Sequence, residues 1–111
     1  MKIDYIELTS PDMPATKDFF AAAFGWGFND YGPEYQELTG AGLSGGIASG
    51  AVAPPLVILK TDDLEAALAR VTAAGGEITK AIFDFPGGQR FHFREPGGTE
   101  MAVWTETETD N

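Results

Sequence analysis

Only one side chain in this 111-residue sequence exchanges a proton near neutral pH without a large shift in pKa. It is His92, and it stands in the run Arg90-Phe91-His92-Phe93-Arg94. Strand alternation puts the three polar side chains on one face and the two phenylalanines on the other. Glu7 lies two residues past Tyr5, so both fall on one face of an N-terminal strand. A carboxylate there can take a proton from a carbon acid, or it can pair with Arg90 as a structural ion pair. Glu100 and Trp104 share a parity, and the indole can stack on a planar ligand or close a dimer contact. For His92 the alternatives are ligand contact or a hydrogen bond to a neighbouring strand or turn. Tyr31 and Tyr35, around Gly32-Pro33, read as rim or half-buried strand packing.

Two copies of one pattern must position these groups. Residues 2–26 and 53–77 match at a spacing of 51, pairing Leu8 with Leu59, Ser10 with Thr61, Asp12 with Asp63, Met13 with Leu64, Phe20 with Val71 and Gly25 with Gly76. In each copy an alternating or apolar strand is followed by a capping residue, a helix and a glycine stop. Pro14 fits the first turn of helix one, whose expected core stripe is Met13, Phe20, Ala23 and Phe24 with the Thr16 methyl. Helix two carries Leu64, Ala67, Leu68 and Val71, with acids in its first turn and Arg70 in its last. Turn signals at Asn29-Asp30, Gly32-Pro33 and Gly40-Ala41-Gly42 divide the remainder of the first half into three short strands. Three more follow helix two. Both halves read βαβββ, and the expectation is one α+β domain over 1–111, with repeat one at 1–47, a linker at 48–55 and repeat two at 56–106. The polar end from Glu106 to Asn111 is expected to fray.

Composition narrows the partners. Seven Lys and Arg against 17 Asp and Glu give a net charge of -10, a field that repels nucleic acid and anionic membrane surfaces. There is no cysteine, and hence no disulfide or thiolate site. The sequence opens on a strand-like pattern instead of a charged leader with an apolar run, so a cytoplasmic protein without a membrane span is expected. A domain of this size leaves much surface unburied, which makes a homodimer the expectation. The glycines at 42–46 are not followed by a Lys or a helix start, so they read as a thin strand and not as a phosphate cradle.

The doubled βαβββ pattern, the helix ending Phe19-Phe20-Ala21-Ala22-Ala23-Phe24-Gly25-Trp26, the strand at 86–93 and the turn-plus-strand at 94–104 together resemble the vicinal oxygen chelate superfamily. That superfamily includes glyoxalase I (lactoylglutathione lyase), bleomycin resistance proteins, fosfomycin resistance enzymes and extradiol dioxygenases. The resemblance implies a U-shaped sheet cupping a small ligand, often with a divalent metal. By the same resemblance Arg90 and His92 face the cup, and the internal repeat makes Gln36 the expected mate of His92. The family's ligand positions fall on Tyr5, Gly46, Leu56 and Ala102, counted from Asp12, Asp63, Gly42 and Gly98. Glycine, leucine and alanine side chains cannot ligate, and a neutral tyrosine ligates poorly. The expectation is therefore no metal and no cofactor, the alternative being a divalent metal on displaced ligands Glu7, His92 and Glu100.

Two functions follow as expectations. The first is a metal-free protein that binds a small organic molecule through Tyr5, Gln36, Arg90, Glu100 and Trp104. The second is a lyase, isomerase or dioxygenase-type enzyme with Glu7 and His92 as acid and base or as metal ligands. An interaction module with a filled cup is the third reading.

Overall fold

The computed structural model describes residues 1–107; of the stretch from Glu106 expected to fray, Glu106 ends a strand and Thr107 N donates to the Gly87 carbonyl (3.1 Å), and residues 108–111 lie outside the described ones. The elements run β1 (Lys2–Ser10), α1 (Met13–Phe24), β2 (Gly27–Asp30), β3 (Tyr35–Thr39), β4 (Gly45–Ser49), β5 (Leu56–Lys60), α2 (Leu64–Ala73), β6 (Glu77–Phe85), β7 (Gly88–Arg94) and β8 (Glu100–Glu106). The fold is α+β, with βαβββ twice. β4 continues to Ser49, so the connection without regular structure narrows to residues 50–55. Contacts divide the chain into a first unit, Tyr5–Leu56, and a second unit, Met1–Asp4 with Val57 onward.

The repeat extends to single hydrogen bonds. In the first unit Ser10 Oγ accepts from Asp12 N (3.0 Å) and Asp12 Oδ1 accepts from Ala15 N (3.1 Å). In the second, Thr61 Oγ1 accepts from Asp63 N (3.2 Å) and Asp63 Oδ1 accepts from Ala66 N (3.0 Å). Each aspartate satisfies an amide that the helix leaves without an internal partner. Gly25, at φ 73°, ends α1 in the left-handed conformation that glycine adopts without steric cost.

Strand register repeats as well. β1 and β4 run parallel, with Glu7 opposite Gly46 and Leu8 opposite Ile47. β5 and β8 run parallel, with Ile58 opposite Ala102 and Leu59 opposite Val103. The strand order is β2-β3-β4-β1 in one unit and β5-β8-β7-β6 in the other. In each, one sheet face meets the helix. Met13, Leu38 and Ile47, with Leu8, Phe20 and Trp26, form the first core. Leu64, Ala67, Phe91, Phe93 and Val103, with Leu59, Val71 and Ile78, form the second.

The stripe of α2 is as expected, but that of α1 is shorter. Ala23 is exposed and Phe24 is 56% exposed. Gly25 turns the chain so that Trp26 packs on the first core, and the Phe24 ring lies on the indole (5.2 Å) instead of under the sheet. Among the described residues no helix is long and apolar enough to cross a membrane.

Candidate functional site

The helix-free face of each sheet carries the chemistry. Because Val103 and Phe91 point into the second core, Ala102 and His92, their neighbours in sequence, point the other way. Arg90 is opposite Trp104 and His92 is opposite Ala102 across β7 and β8. Phe83 of β6 is opposite Arg90.

With their neighbours these residues build a ladder of cations and rings. Lys80 Nζ lies 4.3 Å from the centre of the Phe83 ring. The Arg90 guanidinium carbon is 5.4 Å from Phe83 and 5.5 Å from Phe85. The Phe85 ring is 5.9 Å from Trp104, and Lys60 Nζ is 4.9 Å from the indole. His92 sits against Phe83 at 5.7 Å, and His92 Nε2 and Arg90 Nε are shielded from solvent. Asp4 Oδ2 accepts the indole N–H (3.0 Å) and thereby sets the plane of Trp104. Each cation on a ring face contributes about 0.5–1 kcal/mol at a partly exposed site. Together they hold flat surfaces and positive charge in one place, which suits a conjugated ligand bearing oxygen. Glu100 shares the strand with Trp104 but accepts from Thr79 Oγ1 (2.8 Å) and is exposed.

The first unit presents a different group on its helix-free face. The Tyr5 and Tyr35 hydroxyls are 2.5 Å apart, and Tyr35 donates to Glu7 Oε2 (3.3 Å). Both hydroxyls lie over Gly46, where a Cβ would collide with them. Glycine at 46 is thus the room that the hydroxyls occupy. Burial, the bond with Tyr5 and the Glu7 charge hold the Tyr35 hydroxyl far above the ordinary tyrosine range, so it stays a neutral donor.

Gln36 is not on this face. It is 3% exposed, opposite Ile47 on the helix side, and its Nε2 donates to Asp30 Oδ1 (2.7 Å) and to the Gly32 carbonyl (2.9 Å). The register makes Glu37 the mate of His92, because Glu37 is opposite Gly46 as His92 is opposite Ala102. Ten residues separate His92 from Ala102, but nine separate Glu37 from Gly46. Counting through a connection one residue longer shifts the match by one, and one residue moves a side chain to the other face. Glu37 accepts from Asn29 Nδ2 (2.6 Å).

Of the expected binding residues, the structure brings Arg90, His92 and Trp104 into one ladder and Tyr5 and Glu7 into one hydroxyl-carboxylate group. Sequence reading missed Asp4, Lys60, Lys80, Phe83 and Phe85. The alternation of Phe83 and Phe85 was a usable signal, but irregularities in the β6 register between Ile78 and Phe83 hide its pairing with Arg90.

The residues at the family's metal positions do not fit a metal ion. Gly46 has no side chain, Leu56 offers only hydrocarbon, and Ala102 is fully buried without a donor. Tyr5 spends its hydroxyl on Tyr35. Among the described residues no group of three or more His, Asp or Glu is set to hold a metal.

A family model described as Glyoxalase/Bleomycin resistance protein/Dioxygenase superfamily matches residues 2–103. The putative glyoxylase CFP32 of Mycobacterium bovis is 27% identical over 119 residues, a match that takes in 91% of this chain and 44% of that protein. The anthracycline biosynthesis protein DnrV of Streptomyces peucetius is 27% identical over 124 residues, taking in 90% of this chain and 45% of that protein. The chain thus spans less than half the length of these curated relatives. Among solved structures, a glyoxalase/bleomycin resistance protein/dioxygenase superfamily member from Vibrio splendidus 12B01 superposes with a TM-score of 0.72 at 16% identity, covering 95% of this chain and 98% of that one. Methylmalonyl-CoA epimerase from Mycobacterium tuberculosis gives 0.72 at 11% identity, covering 96% and 88%. At these identities the likeness is one of fold.

Proposed function

The chain belongs to the glyoxalase/bleomycin resistance protein/dioxygenase superfamily, and we propose that it binds a small planar organic molecule without a metal, on the helix-free face of its second unit. The observation that carries this reading is the ladder of Phe83, Arg90, Phe85, Trp104 and Lys60. Rings supply stacking area at low cost in side-chain entropy, and Arg90 between them supplies a donor for a carbonyl or phenolic oxygen. Two relatives named for anthracycline biosynthesis support an aromatic ligand.

The test is a thermal-shift screen of aromatic carbonyl compounds, polycyclic quinones among them, followed by calorimetry on the hits. Trp104→Ala and Arg90→Ala should each weaken a hit about tenfold or more, in the range of a hot-spot loss. Hits unaffected by both variants would remove the ladder from the reading. Elemental analysis after incubation with zinc, nickel, manganese and iron tests the metal-free part, and stoichiometric metal that a chelator strips would overturn it. The partly exposed ring cluster of Phe19, Phe24 and Trp26 supports a homodimer, which light scattering on the purified chain would reveal as twice the chain mass.

A second reading is favoured by the Tyr35 bond to Glu7: a hydroxyl donor fixes that carboxylate's orientation, as a general base requires. In this reading Glu7 acts as the base of a lyase or isomerase. Hydrogen-deuterium exchange at carbon in a bound hit, lost in Glu7→Gln, would select it over simple binding.

A further inference from the structure

The second unit also holds an open hollow of about 410 Å³ beside the ladder. Lys2, Asp4, Lys60, Asp62 and Arg70 line it. Two of these belong to both places: Lys60 covers the Trp104 ring and Asp4 accepts its N–H. Three of the chain's seven cationic side chains meet here, in a protein with a net charge of -10. Asp4 and Asp62 oppose them in the same lining, so three cations against two carboxylates leave a net charge of +1 at the hollow.

We infer that the ligand of the ladder carries an anionic group, a carboxylate or a phosphate, and that this group enters the hollow between Lys2, Lys60 and Arg70. The inference rests on the ladder being the binding face and adds the charge of what binds there. The overall field of the protein repels anions, but charge beyond about 10 Å is screened at ordinary salt, so the local balance of Lys2, Lys60 and Arg70 over Asp4 and Asp62 decides. The hollow is large enough for such an arm, since small-molecule sites begin at about 300 Å³. Lys60 is already paired with Glu106 at 3.2 Å, but both side chains are well exposed. A pair of that kind is weak and gives way to an arriving anion. Arg70, in the last turn of α2, complements the C-terminal end of that helix and lines the hollow.

The test is calorimetric titration of the whole chain with three probes of one ring system: 1-naphthoate, 1-naphthyl phosphate and the neutral 1-naphthamide. At least one anion should bind about fivefold or more tightly than the amide, and that preference should fall as salt is raised. In a Lys2→Ala, Arg70→Ala double variant the preference should shrink to within about twofold while the amide binds as before. Both positions are exposed, so unchanged thermal melting checks that the variant folds. Glu106→Gln removes the competitor for Lys60 and should tighten anion binding further. Equal affinity for anion and amide would overturn the inference and leave the aromatic ladder standing, as would a preference that survives the double variant. If no probe binds, the ladder reading fails and the inference falls with it.

Discussion

The helix-free faces of the two units share one backbone grid and differ at nearly every side chain. Gly46 and Ala102 occupy the same register position, as do Glu37 and His92, Tyr35 and Arg90, and Ala48 and Trp104. In the first unit this grid holds hydroxyls and a carboxylate over a glycine; in the second it holds cations between rings. The helix faces changed less. Ile47 and Val103 are both fully buried, and the caps Asp12 and Asp63 keep identical hydrogen bonds. Packing and capping tolerate few solutions, whereas a solvated sheet face tolerates many, so divergence collected on the side that can meet a ligand.

The comparison can be broken at its most strained point of difference on the helix side. Phe91 and Gln36 are register mates, one fully buried and apolar, the other buried and polar. Phe91→Ala should cost about 3–5 kcal/mol by chemical denaturation, from lost burial and the cavity left behind. Gln36→Ala should cost about 1–3 kcal/mol, because it frees Asp30 and the Gly32 carbonyl in a turn that can reach water. A Gln36 cost equal to that of Phe91 would show that its bonds carry core weight.

Gly46→Ala probes the helix-free face. The new methyl meets the Tyr5 and Tyr35 hydroxyls and should cost about 1–3 kcal/mol, while Ala102 shows that its mate tolerates the same group. Adding Tyr35→Phe should recover part of the loss, which thermal melts of the single and double variants would read.

Asp12→Ala and Asp63→Ala should each cost about 1 kcal/mol, with values that agree within a few tenths, since the two caps are geometrically alike. A clear inequality in urea titrations would mean that the units are less alike than their hydrogen bonds.

The smallest effect at neutral pH is that of Tyr35. Its hydroxyl is raised above the ordinary value of 10.0 in the fold, so its contribution to stability is complete below pH 10. As pH rises past 10, the unfolded chain loses that proton and the folded chain keeps it, so stability falls. Tyr35→Phe should therefore flatten the alkaline loss of melting temperature, and an unchanged slope would sink the assignment.

Several of these features were legible in the sequence because they depend on near neighbours. The spacing of 51 exposed both helices, their caps and the glycine stop at Gly25. The stripe of α1 failed at Phe24 because the identity of the residue beneath a helix end depends on how Gly25 returns Trp26, which periodicity does not contain. Gln36 failed through a connection one residue longer in the second unit, which composition does not announce. Lys60, Phe83 and Asp4 could not be assembled beforehand, since they lie far apart along the chain, on β5, β6 and β1, and reach Trp104 of β8 or Arg90 of β7 only in the folded sheet.

By itself, then, the sequence determined the doubled α+β pattern and the two capped helices, and showed Tyr5, Gly46, Leu56 and Ala102 at the positions where the family resemblance places ligands, because periodicity, capping and residue type are local properties. The tertiary structure alone decided that Gly46 makes room for two tyrosine hydroxyls and that Arg90 lies between Phe83 and Phe85. Both are matters of cross-strand register, and register is set by the whole sheet and its connections together.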